Sequence, residues 1–440
     1  MPVRQVEAIA GQPTVAIVPP GSKSLSCRAI VLASVSSGPS CLRGLLVSDD
    51  TTALLAAVEA MGVQVHVDGA SVTLRPPTVL GRSGHVRVDL GHGGTPARFM
   101  LAMASLGCGE VVVDGSPRLR ERPMGDGLEL LEQVGVAAHA LDQQDRLPIE
   151  VVGGPWARRD VRVCKTASSQ FLSAMLLVAP AAADGIDLHL AHASVSEAYL
   201  RLTIAELRAW GVPVSVHELD GCVSAVHVDH GRPAGQDRTI PADASSALFW
   251  ALAAAILPGA SMTLEGVQLD DGQPDAAGIR VLAEMGLLLE STPAHVRCVG
   301  PPQLTSVGTI DCASMPDAAP ALAVACCWAS DPTRLTGLST LRSKESDRVA
   351  TIAGELNRAG FDVQIIGDDL LIGPANPPSS PVTIQTWDDH RIAMAMAVMG
   401  LRRGGVSIED PAVTAKSYPG FWDDLAGLYA CCQSGDTDAR

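Results

Sequence analysis

The chain has 440 residues, of which 47% are hydrophobic and 18% are charged, enough for two domains with apolar cores. Aromatic residues make up only 3%, so these cores must consist mainly of Ala, Val and Leu. The formal net charge of −16 argues against nucleic acid or an anionic membrane as a partner, but it leaves open a local basic pocket for a small anion.

The eleven cysteines are scattered, without a CxxC pair or a Cys/His cluster at metal-ligand spacing. We therefore expect reduced, mostly buried thiols and no metal. The first residues lack the apolar region of a signal peptide, and the longest apolar run, from Ala247, is too short to span a bilayer. These features predict a cytoplasmic protein in which that run forms a buried helix.

The first predicted helix follows the break "VPPG" at residues 18–21. Ser22 or Ser24 is the expected N-cap, with Lys23 at the helix start and Arg28 on the same face as Ser24. The segment is not a P-loop, because a serine separates the glycine from the lysine. The two cations indicate either a solvated helix start or an anion site at the helix N-terminus.

One pattern then recurs along the chain: an amphipathic helix, a glycine and an alternating strand. Glycine after an apolar-periodic helix is the expected C-cap, and the valine-rich residues that follow suit a strand. Successive glycines are 73, 76, 75 and 74 residues apart, at Gly62, Gly135, Gly211, Gly286 and Gly360. The nearly constant spacing predicts an internal repeat of mixed helix and strand.

A sixth unit would have its helix at 420–432, but the chain ends before the strand that should follow. Segment 2–11 is a candidate to complete this unit. The six units then fall into two groups of three, with crossings near Pro20 and near 239–242. We therefore predict an α/β fold of two domains, one of residues 21–239 and the other of residues 1–20 plus 240–440.

Residues whose side chains can bind anions or transfer protons lie at the starts of the other predicted helices. Thr95 is the expected N-cap of one helix, and Ser168 or Ser169 is the expected N-cap of another. Asp317 begins a third helix. Mixed acidic and basic residues precede apolar helices at 343–348, 387–391 and 414–421. Only four of the 32 basic residues are lysines, and all four fall in such segments: Lys23, Lys165, Lys344 and Lys416.

Each of these segments alone has a structural explanation, since an Asp before an apolar helix is usually a cap. "DDHR" at 388–391 fits a capping cluster as well as it fits a site. Together they indicate two groups of helix N-termini that line a positively charged cleft. Such a cleft suits a substrate with several phosphate or carboxylate groups, with Asp317, Glu345 and Lys23 available for proton transfer.

Eight segments in this order, "PGSKSLSCRA", "GGTPAR", "RLRERP", "SSQFL", "PDAA", "KESDR", "DDHR" and "TAKSYPGF", resemble the signature segments of the 5-enolpyruvylshikimate 3-phosphate (EPSP) synthase family. The resemblance runs from about Pro20 to Phe421. It implies two domains, each of three βαβαββ units arranged as an inside-out α/β barrel, joined by two crossings. It also implies transfer of the enolpyruvyl group of phosphoenolpyruvate to the 5-hydroxyl of shikimate 3-phosphate through a tetrahedral intermediate, without a metal or organic cofactor.

The resemblance further implies roles for the residues at matching positions. Asp317 would be the base at the 5-hydroxyl, Glu345 the proton donor, and Lys23 a contact of both substrates. Contacts of shikimate 3-phosphate would be Ser24, Arg28, Ser168, Ser169, Gln170, Ser196, Tyr199 and Lys344. Contacts of phosphoenolpyruvate would be Gly94, Arg98, Arg122, Arg348, Arg391 and Lys416, with Asp389 and His390 supporting Arg391.

Four residues differ from those common in the family at or beside substrate positions, and they bear on substrate affinity: Cys27, His92, Glu197 and Thr340. One alternative is an enolpyruvyl transferase acting on UDP-N-acetylglucosamine, against which "GSKS" and "KESDR" argue. A second is a non-catalytic anion-binding paralogue, against which intact Asp317, Glu345 and Lys23 argue. We expect a monomer with small-molecule substrates and no nucleic-acid or membrane partner.

Overall fold

The computed structural model describes residues 2–164, 166, 168–191 and 196–435, excluding the side chains of 81–83 and 433–435. The chain divides into two compact units, one of residues 21–240 and one of residues 1–20 with 241–440. No helix in these described stretches combines the length and the apolar character that crossing a membrane requires. Two strands precede the first crossing: β1 (Val3–Val6) and β2 (Thr14–Ile17).

Unit 21–240 contains seven α-helices in the described residues: α1 (Lys23–Val35), α2 (Asp49–Ala60), α3 (Gly94–Ser105), α4 (Pro117–Arg120), α5 (Gly125–Gln133), α6 (Ser169–Val178) and α7 (Glu197–Ala209). Its strands are β3 (Ser40–Arg43), β4 (Gln64–Asp68), β5 (Ser71–Arg75), β6 (Gly81–Asp89), β7 (Cys108–Asp114), β8 (Ala137–Ala140), β9 (Ile149–Gly153), β10 (Asp160–Val163), β11 (Ile186–Leu190), β12 (Val214–Leu219), β13 (Cys222–Val228) and β14 (Asp237–Thr239).

In the other unit the helices are α8 (Ala244–Ile256), α9 (Ala276–Glu284), α10 (Ala319–Cys326), α11 (Arg348–Arg358), α12 (His390–Arg403) and α13 (Phe421–Gly435). The strands are β15 (Ser261–Glu265), β16 (Leu288–Ser291), β17 (His295–Val299), β18 (Thr309–Asp311), β19 (Thr333–Thr336), β20 (Asp362–Ile366), β21 (Asp369–Gly373), β22 (Val382–Ile384) and β23 (Val406–Glu409). Short 3₁₀ segments lie at Pro316–Ala318, Ser339–Ser343 and Pro411–Lys416.

The described strands form six small sheets, three in each unit, which confirms the predicted α/β repeat. Five sheets have four strands, in the orders β14-β3-β5-β4, β6-β7-β9-β8, β10-β11-β13-β12, β16-β17-β15-β2 and β18-β19-β21-β20. In each, a parallel pair is followed by an antiparallel hairpin. In the sixth sheet, β1-β23-β22, strand β1 pairs antiparallel with β23, as predicted for the N-terminal segment.

The segments next to the two crossings are themselves strands, which the repeat pattern did not predict. Strand β2 pairs parallel with β15, and β14 pairs parallel with β3. Each therefore supplies the outer parallel strand of the sheet in the first unit of its own group. These strands are only four and three residues long, too short for their alternation to stand out from the surrounding loop.

The five repeat glycines end their helices in the same way. Their φ angles lie between +77° and +113°, a region that favours glycine because it has no Cβ. At Gly62 the N–H bonds to the carbonyl of Glu59, and the next N–H, of Val63, bonds to Val58. This is the Schellman arrangement, and the same two bonds recur at the other four glycines.

Three helices in each unit are buried along nearly their whole length, α1, α3 and α6 in one and α8, α10 and α12 in the other. A helix that is apolar on all sides belongs in the interior, and the abundant alanines let neighbouring helices approach closely. The predicted buried helix is α8, in which every residue except Ser245 is buried. Because the bodies of these helices are covered, their polar N-terminal residues are the parts left for chemistry.

Gly286→Ala should destabilise the protein, whereas Gly354→Ala should stabilise it. Gly286 has φ of +113° and a Cβ there would meet nothing closer than 3.7 Å, so the cost, about 1–2 kcal/mol, is backbone strain. Gly354 lies on the exposed side of α11 with nothing within 4 Å of a Cβ, and alanine should add about 0.5–1 kcal/mol. Denaturant unfolding of both variants would measure this; a loss of stability in both would contradict it.

Candidate active site

The first site residues lie at the N-terminus of α1. Of the two candidate caps, Ser22 is the N-cap and accepts a hydrogen bond from the Leu25 N–H at 3.5 Å. Lys23 is the first helical residue, and its Nζ lies 3.1 Å from Oδ2 of Asp50, a buried carboxylate in the first turn of α2. Sequence reasoning missed Asp50, although "SDD" at a helix start was its signal.

Arg28 is buried, and its guanidinium is hydrogen-bonded within the protein. Nε donates to Oγ1 of Thr203 at 2.9 Å, Nη1 to the carbonyl of Ser24 at 2.9 Å and Nη2 to the carbonyl of Tyr199 at 3.1 Å. Burial lowers the pKa of Arg28 to about 10, so the group stays charged at neutral pH. The residue therefore ties α1 to α7 and holds the N-terminal turn of α1 in place.

Helix α3 begins earlier than predicted. Gly93, not Thr95, is the N-cap, because its carbonyl accepts the N–H of Ala97 at 3.0 Å, which leaves Thr95 inside the first turn. The next glycine is essential to the local packing: a Cβ on Gly94 would lie 2.2 Å from Nη1 of Arg122. The guanidinium of Arg122 therefore lies directly against the start of α3.

Arg98, one turn further along α3, is buried and points toward α6. Its Nη1 donates to Oε1 of Gln170, and its guanidinium stands 4.9 Å above the ring of Phe171. Ser168 is the N-cap of α6 and accepts the N–H of Gln170 at 3.3 Å, while Ser169 is the first helical residue. The "GGTPAR" and "SSQFL" segments are thus brought together in space.

Ser196 immediately precedes α7 with φ of +55°, and Tyr199 lies half-buried in the first turn of that helix. Lys165, the remaining lysine of the sequence prediction, lies outside the described residues.

Three of the four residues that differ from the family pattern, Cys27, Glu197 and His92, have defined surroundings in unit 21–240. Cys27 is 0% exposed in the core of unit 21–240, and burial raises the pKa of its thiol to about 12. Its side chain is therefore a packing element, not a surface contact. Glu197 accepts from Nε of Arg201 at 2.7 Å and from the Val223 N–H at 3.2 Å, and His92 Nδ1 is 3.2 Å from Oγ of Ser116.

In the other unit, Arg348 is the centre of a cluster of charges. The residue is 1% exposed and its guanidinium reaches three carboxylates. Nε and Nη2 bind the two oxygens of Asp389 at 2.7 and 3.2 Å, Nη1 donates to Oδ1 of Asp317 at 2.7 Å, and Nη2 to Oε2 of Glu345 at 3.0 Å. One arginine therefore fixes both predicted acid–base residues relative to each other.

Asp317 also faces two further cations. Lys344 Nζ is 3.5 Å from Oδ1, and Arg391 Nη2 is 3.1 Å from Oδ2. Burial by itself would raise the pKa of Asp317, but Arg391, Lys344 and Arg348 outweigh it and hold the pKa well below its usual range. This carboxylate is ionised throughout the neutral range.

Glu345 is held by a second cation. Lys416 is 4% exposed, and its Nζ donates to Oε1 of Glu345 at 2.7 Å. Because Arg348 binds Oε2, both oxygens of this carboxylate have a cationic partner. The "KESDR", "DDHR", "PDAA" and "TAKSYPGF" segments thus meet in one cluster.

Asp389 binds both the expected residue, Arg391, and a second one, Arg348. It is completely buried, and Oδ1 accepts the backbone N–H of Arg391 at 3.0 Å as the N-cap of α12. Its two oxygens bind the side chain of Arg348, not that of Arg391, and Ser346 Oγ adds a bond at 3.1 Å. Asp389 thus supports Arg391 through its backbone N–H, as expected, whereas the Arg391 guanidinium faces Asp317 and Asp275.

Among the described residues, one group of side chains has donor atoms close enough to share a metal ion: His85, Glu110 and Glu150. It lies on neighbouring strands β6, β7 and β9, and His85 is exposed. Surface groups of this kind are common without an ion.

Arg348→Lys should lower the free energy of unfolding by about 2–4 kcal/mol, because lysine cannot donate to three carboxylates at once and leaves buried charge unpaired. Arg358→Lys, on the same helix, is the matched control. Arg358 pairs with Glu355 at 3.2 Å from an exposed position, so its replacement should change stability by less than about 0.5 kcal/mol. Equal effects in denaturant titrations would contradict a central role for Arg348.

The chain is similar to known proteins over nearly its whole length. The family model described as EPSP synthase (3-phosphoshikimate 1-carboxyvinyltransferase) matches residues 7–425. A protein of Syntrophobacter fumaroxidans named 3-phosphoshikimate 1-carboxyvinyltransferase is 36% identical over 410 residues, covering 93% of this chain and 96% of the relative. A protein of the same name from Methanosphaerula palustris is 36% identical over 429 residues, covering 94% and 97%.

Solved structures agree in fold. EPSP synthase from Acinetobacter baumannii superposes with a TM-score of 0.77 at 26% identity, over 96% of this chain and 98% of that one. The enolpyruvyl transferase NikO from Streptomyces tendae superposes with a TM-score of 0.74 at 17% identity, over 97% of each chain, a likeness of fold alone. With the family model matched over nearly the whole length and the signature segments assembled as described, the chain belongs to the EPSP synthase family.

Proposed function

We propose that this protein is a 3-phosphoshikimate 1-carboxyvinyltransferase, which transfers the enolpyruvyl group of phosphoenolpyruvate to the 5-hydroxyl of shikimate 3-phosphate and releases phosphate. The observation that carries the proposal is the cluster around Arg348. There, Asp317 and Glu345 are held by Lys344, Arg391 and Lys416 in one unit of the chain. The reaction needs cations to bind the phosphate and carboxylate groups of the substrates. It also needs carboxyl groups in the protein for two proton transfers.

Asp317 takes the proton of the attacking hydroxyl. With Arg391, Lys344 and Arg348 around it, the carboxylate is a weak base, because these cations favour its ionised form. When substrate anions bind Arg391 and Lys344, these cations are shared between Asp317 and the anions. They then stabilise the ionised form of Asp317 less, so its pKa rises. Substrate binding thus makes Asp317 a stronger base when the hydroxyl group is bound.

Glu345 delivers to the methylene carbon of phosphoenolpyruvate a proton that it receives from Nζ of Lys416, and the hydroxyl oxygen then bonds to the central carbon. Arg348 and Lys416 fix the two oxygens of Glu345, so its carboxyl group has a defined direction. Phosphate then leaves the tetrahedral intermediate while Glu345 takes a proton back from the methyl group, which restores the double bond. Arg391, Lys416 and Arg348 stabilise the negative charge of the donor during these steps.

We assign binding of shikimate 3-phosphate mainly to unit 21–240. Lys23, Ser24 and the 168–170 segment lie at helix N-termini, where N–H groups and the helix dipole favour phosphate. Arg28 supports this surface, because its Nη2 donates to the carbonyl of Tyr199, whose N–H donates to the carbonyl of Ser196. For phosphoenolpyruvate, Arg98 and Arg122 add cations and Gly94 adds a contact at the start of α3. We further propose a cytoplasmic monomer that works without a metal or organic cofactor.

The acceptor is tested by phosphate release from phosphoenolpyruvate with shikimate 3-phosphate or with UDP-N-acetylglucosamine. We expect release only with shikimate 3-phosphate. Asp317→Ala should lower kcat by about 10²-fold or more, since it removes the proton acceptor, and Lys23→Met should lower kcat/KM. Release with the nucleotide sugar, or with neither acceptor from folded protein, would overturn the proposed function.

Gly94→Ala should raise the KM for phosphoenolpyruvate with a smaller effect on kcat. The new Cβ would overlap the Arg122 guanidinium, at 2.2 Å from Nη1, and push this cation away from the start of α3. We expect an increase of about tenfold, the loss of one charge-assisted hydrogen bond. Gly154→Ala, where a Cβ meets nothing within 4 Å, is the control and should leave both constants unchanged.

A further inference from the structure

A second aspartate lies behind the catalytic cluster. Asp275 belongs to the tetrapeptide "PDAA" at 274–277, and the same four residues recur at 316–319 around Asp317. Asp275 occupies the N-cap position of α9, yet its side chain makes no capping hydrogen bond and the residue is 1% exposed. An aspartate at this position normally caps its helix, so a different use of the carboxyl group is implied.

The carboxyl group of Asp275 is directed at Arg391. Its Oδ2 lies 3.9 Å from Nη1 of that guanidinium, whose Nη2 is 3.1 Å from Oδ2 of Asp317. Oδ2 of Asp275 also accepts a hydrogen bond from Oγ of Ser245, at the start of α8, while its Oδ1 is buried without a hydrogen-bond partner among the residues that the structure describes. One guanidinium therefore faces two carboxyl groups, one near each of its terminal nitrogens.

Close helix packing keeps the two aspartates near each other. Gly278 lies in the first turn of α9, where a Cβ would be 2.9 Å from Cβ of Ala318 and 2.9 Å from Cδ2 of Leu248. Only a glycine lets the start of α9 approach both α8 and the 316–318 segment so closely. Asp275 is thus held in place by backbone packing and does not depend on a capping bond.

The two carboxyl groups differ in their affinity for a proton. Burial, with the negative charge of Asp317, raises the pKa of Asp275 to about 6, against the opposing effects of Arg391 and the Ser245 hydroxyl. The other titratable groups that face Asp275 are Asp243 at the N-cap of α8, which adds to the rise, and Cys312 after β18. Asp317, by contrast, stays ionised.

We propose that Asp275 is a positioning residue that acts through Arg391. When ionised, its carboxylate competes for the guanidinium and holds it; when protonated, it releases that charge to a substrate anion. The affinity of the site for phosphoenolpyruvate therefore depends on pH through a residue that touches no substrate. The expected effect on the KM for phosphoenolpyruvate rests on the proposed function, whereas the protonation of Asp275 is independent of it.

The first test measures stability and needs no substrate. Because the pKa of Asp275 is about 6 in the folded protein and near 3.8 when unfolded, the native state binds the extra proton between these values. Its contribution to stability is present below pH 4 and is lost as the pH rises through 6. The melting temperature of Asp275→Asn minus that of the wild type should therefore increase from pH 4 to pH 7.

Asp270→Asn is the control for this series, because Asp270 lies in the same loop with a side chain that is 94% exposed. Its difference from the wild type should stay constant across the same pH range. A constant difference for Asp275→Asn as well would overturn the proposal. If that variant does not fold, Ser245→Ala serves instead. Loss of the hydrogen bond from Ser245 should raise the pKa of Asp275, so the fall in stability should occur at a higher pH.

The second test measures the KM for phosphoenolpyruvate from pH 5 to pH 7.5. Phosphoenolpyruvate itself loses a proton near pH 6, so the informative quantity is the ratio of wild type to Asp275→Asn at each pH. We expect a ratio near one at pH 5 that rises to about threefold or more at pH 7.5, with the kcat ratio unchanged.

A KM ratio that does not change with pH would overturn the positioning role even if the stability test succeeds. Wild-type protein without activity would instead contradict the proposed function, and the stability test would still decide whether Asp275 carries the proton. The two failures are therefore distinguishable.

Discussion

The guanidinium of Arg348, buried among the carboxylates of Asp317, Glu345 and Asp389, is the interaction on which the site depends. It joins the starts of α11 and α12 to the 316–318 segment, so three parts of the chain far apart in sequence share one cation. A buried charge is tolerated only when it is paired and hydrogen-bonded. Once Arg348 is buried, the positions of both proposed acid–base residues follow from its planar geometry, because its N–H groups diverge toward the three carboxylates.

The same logic explains how a strongly acidic chain builds sites for anions. The net charge of −16 is spread over the chain, whereas the cations of the site are placed at the starts of buried helices. Alanine-rich helices such as α8, α10 and α12 pack closely with few aromatic residues, and their apolar bodies leave only the first turn for polar groups. The N–H groups exposed there favour anions, and the added Lys and Arg side chains strengthen this preference.

The duplicated "PDAA" shows how neighbouring residues of one kind acquire opposite properties. Asp317 faces three cations and stays ionised, whereas the polar partners of Asp275 among the described residues are the more distant Arg391 and a serine hydroxyl, and Asp275 holds its proton to about pH 6. The difference lies in the surroundings: both carboxyl groups stand at helix starts, but Asp275 is buried whereas Asp317 is half-buried among cations. In our proposal, a carboxyl group that titrates beside one that stays ionised lets a single arginine respond to pH without protonating Asp317, the proposed base.

The sequence by itself determined the repeat, because five helices end at a glycine with positive φ, and these five glycines mark the period. It also indicated the candidate site segments, since lysines and carboxylates before apolar helices stand out by composition. Only the tertiary structure decided the partners: that Asp389 binds Arg348, that Cys27 is core, that Gly93 caps α3, and that β2 and β14 complete sheets. Asp50 and Asp275 escaped notice for the same reason. A carboxylate before a helix looks alike in every case, and only the side chains that the fold packs against it decide whether it caps, binds a cation or keeps a proton.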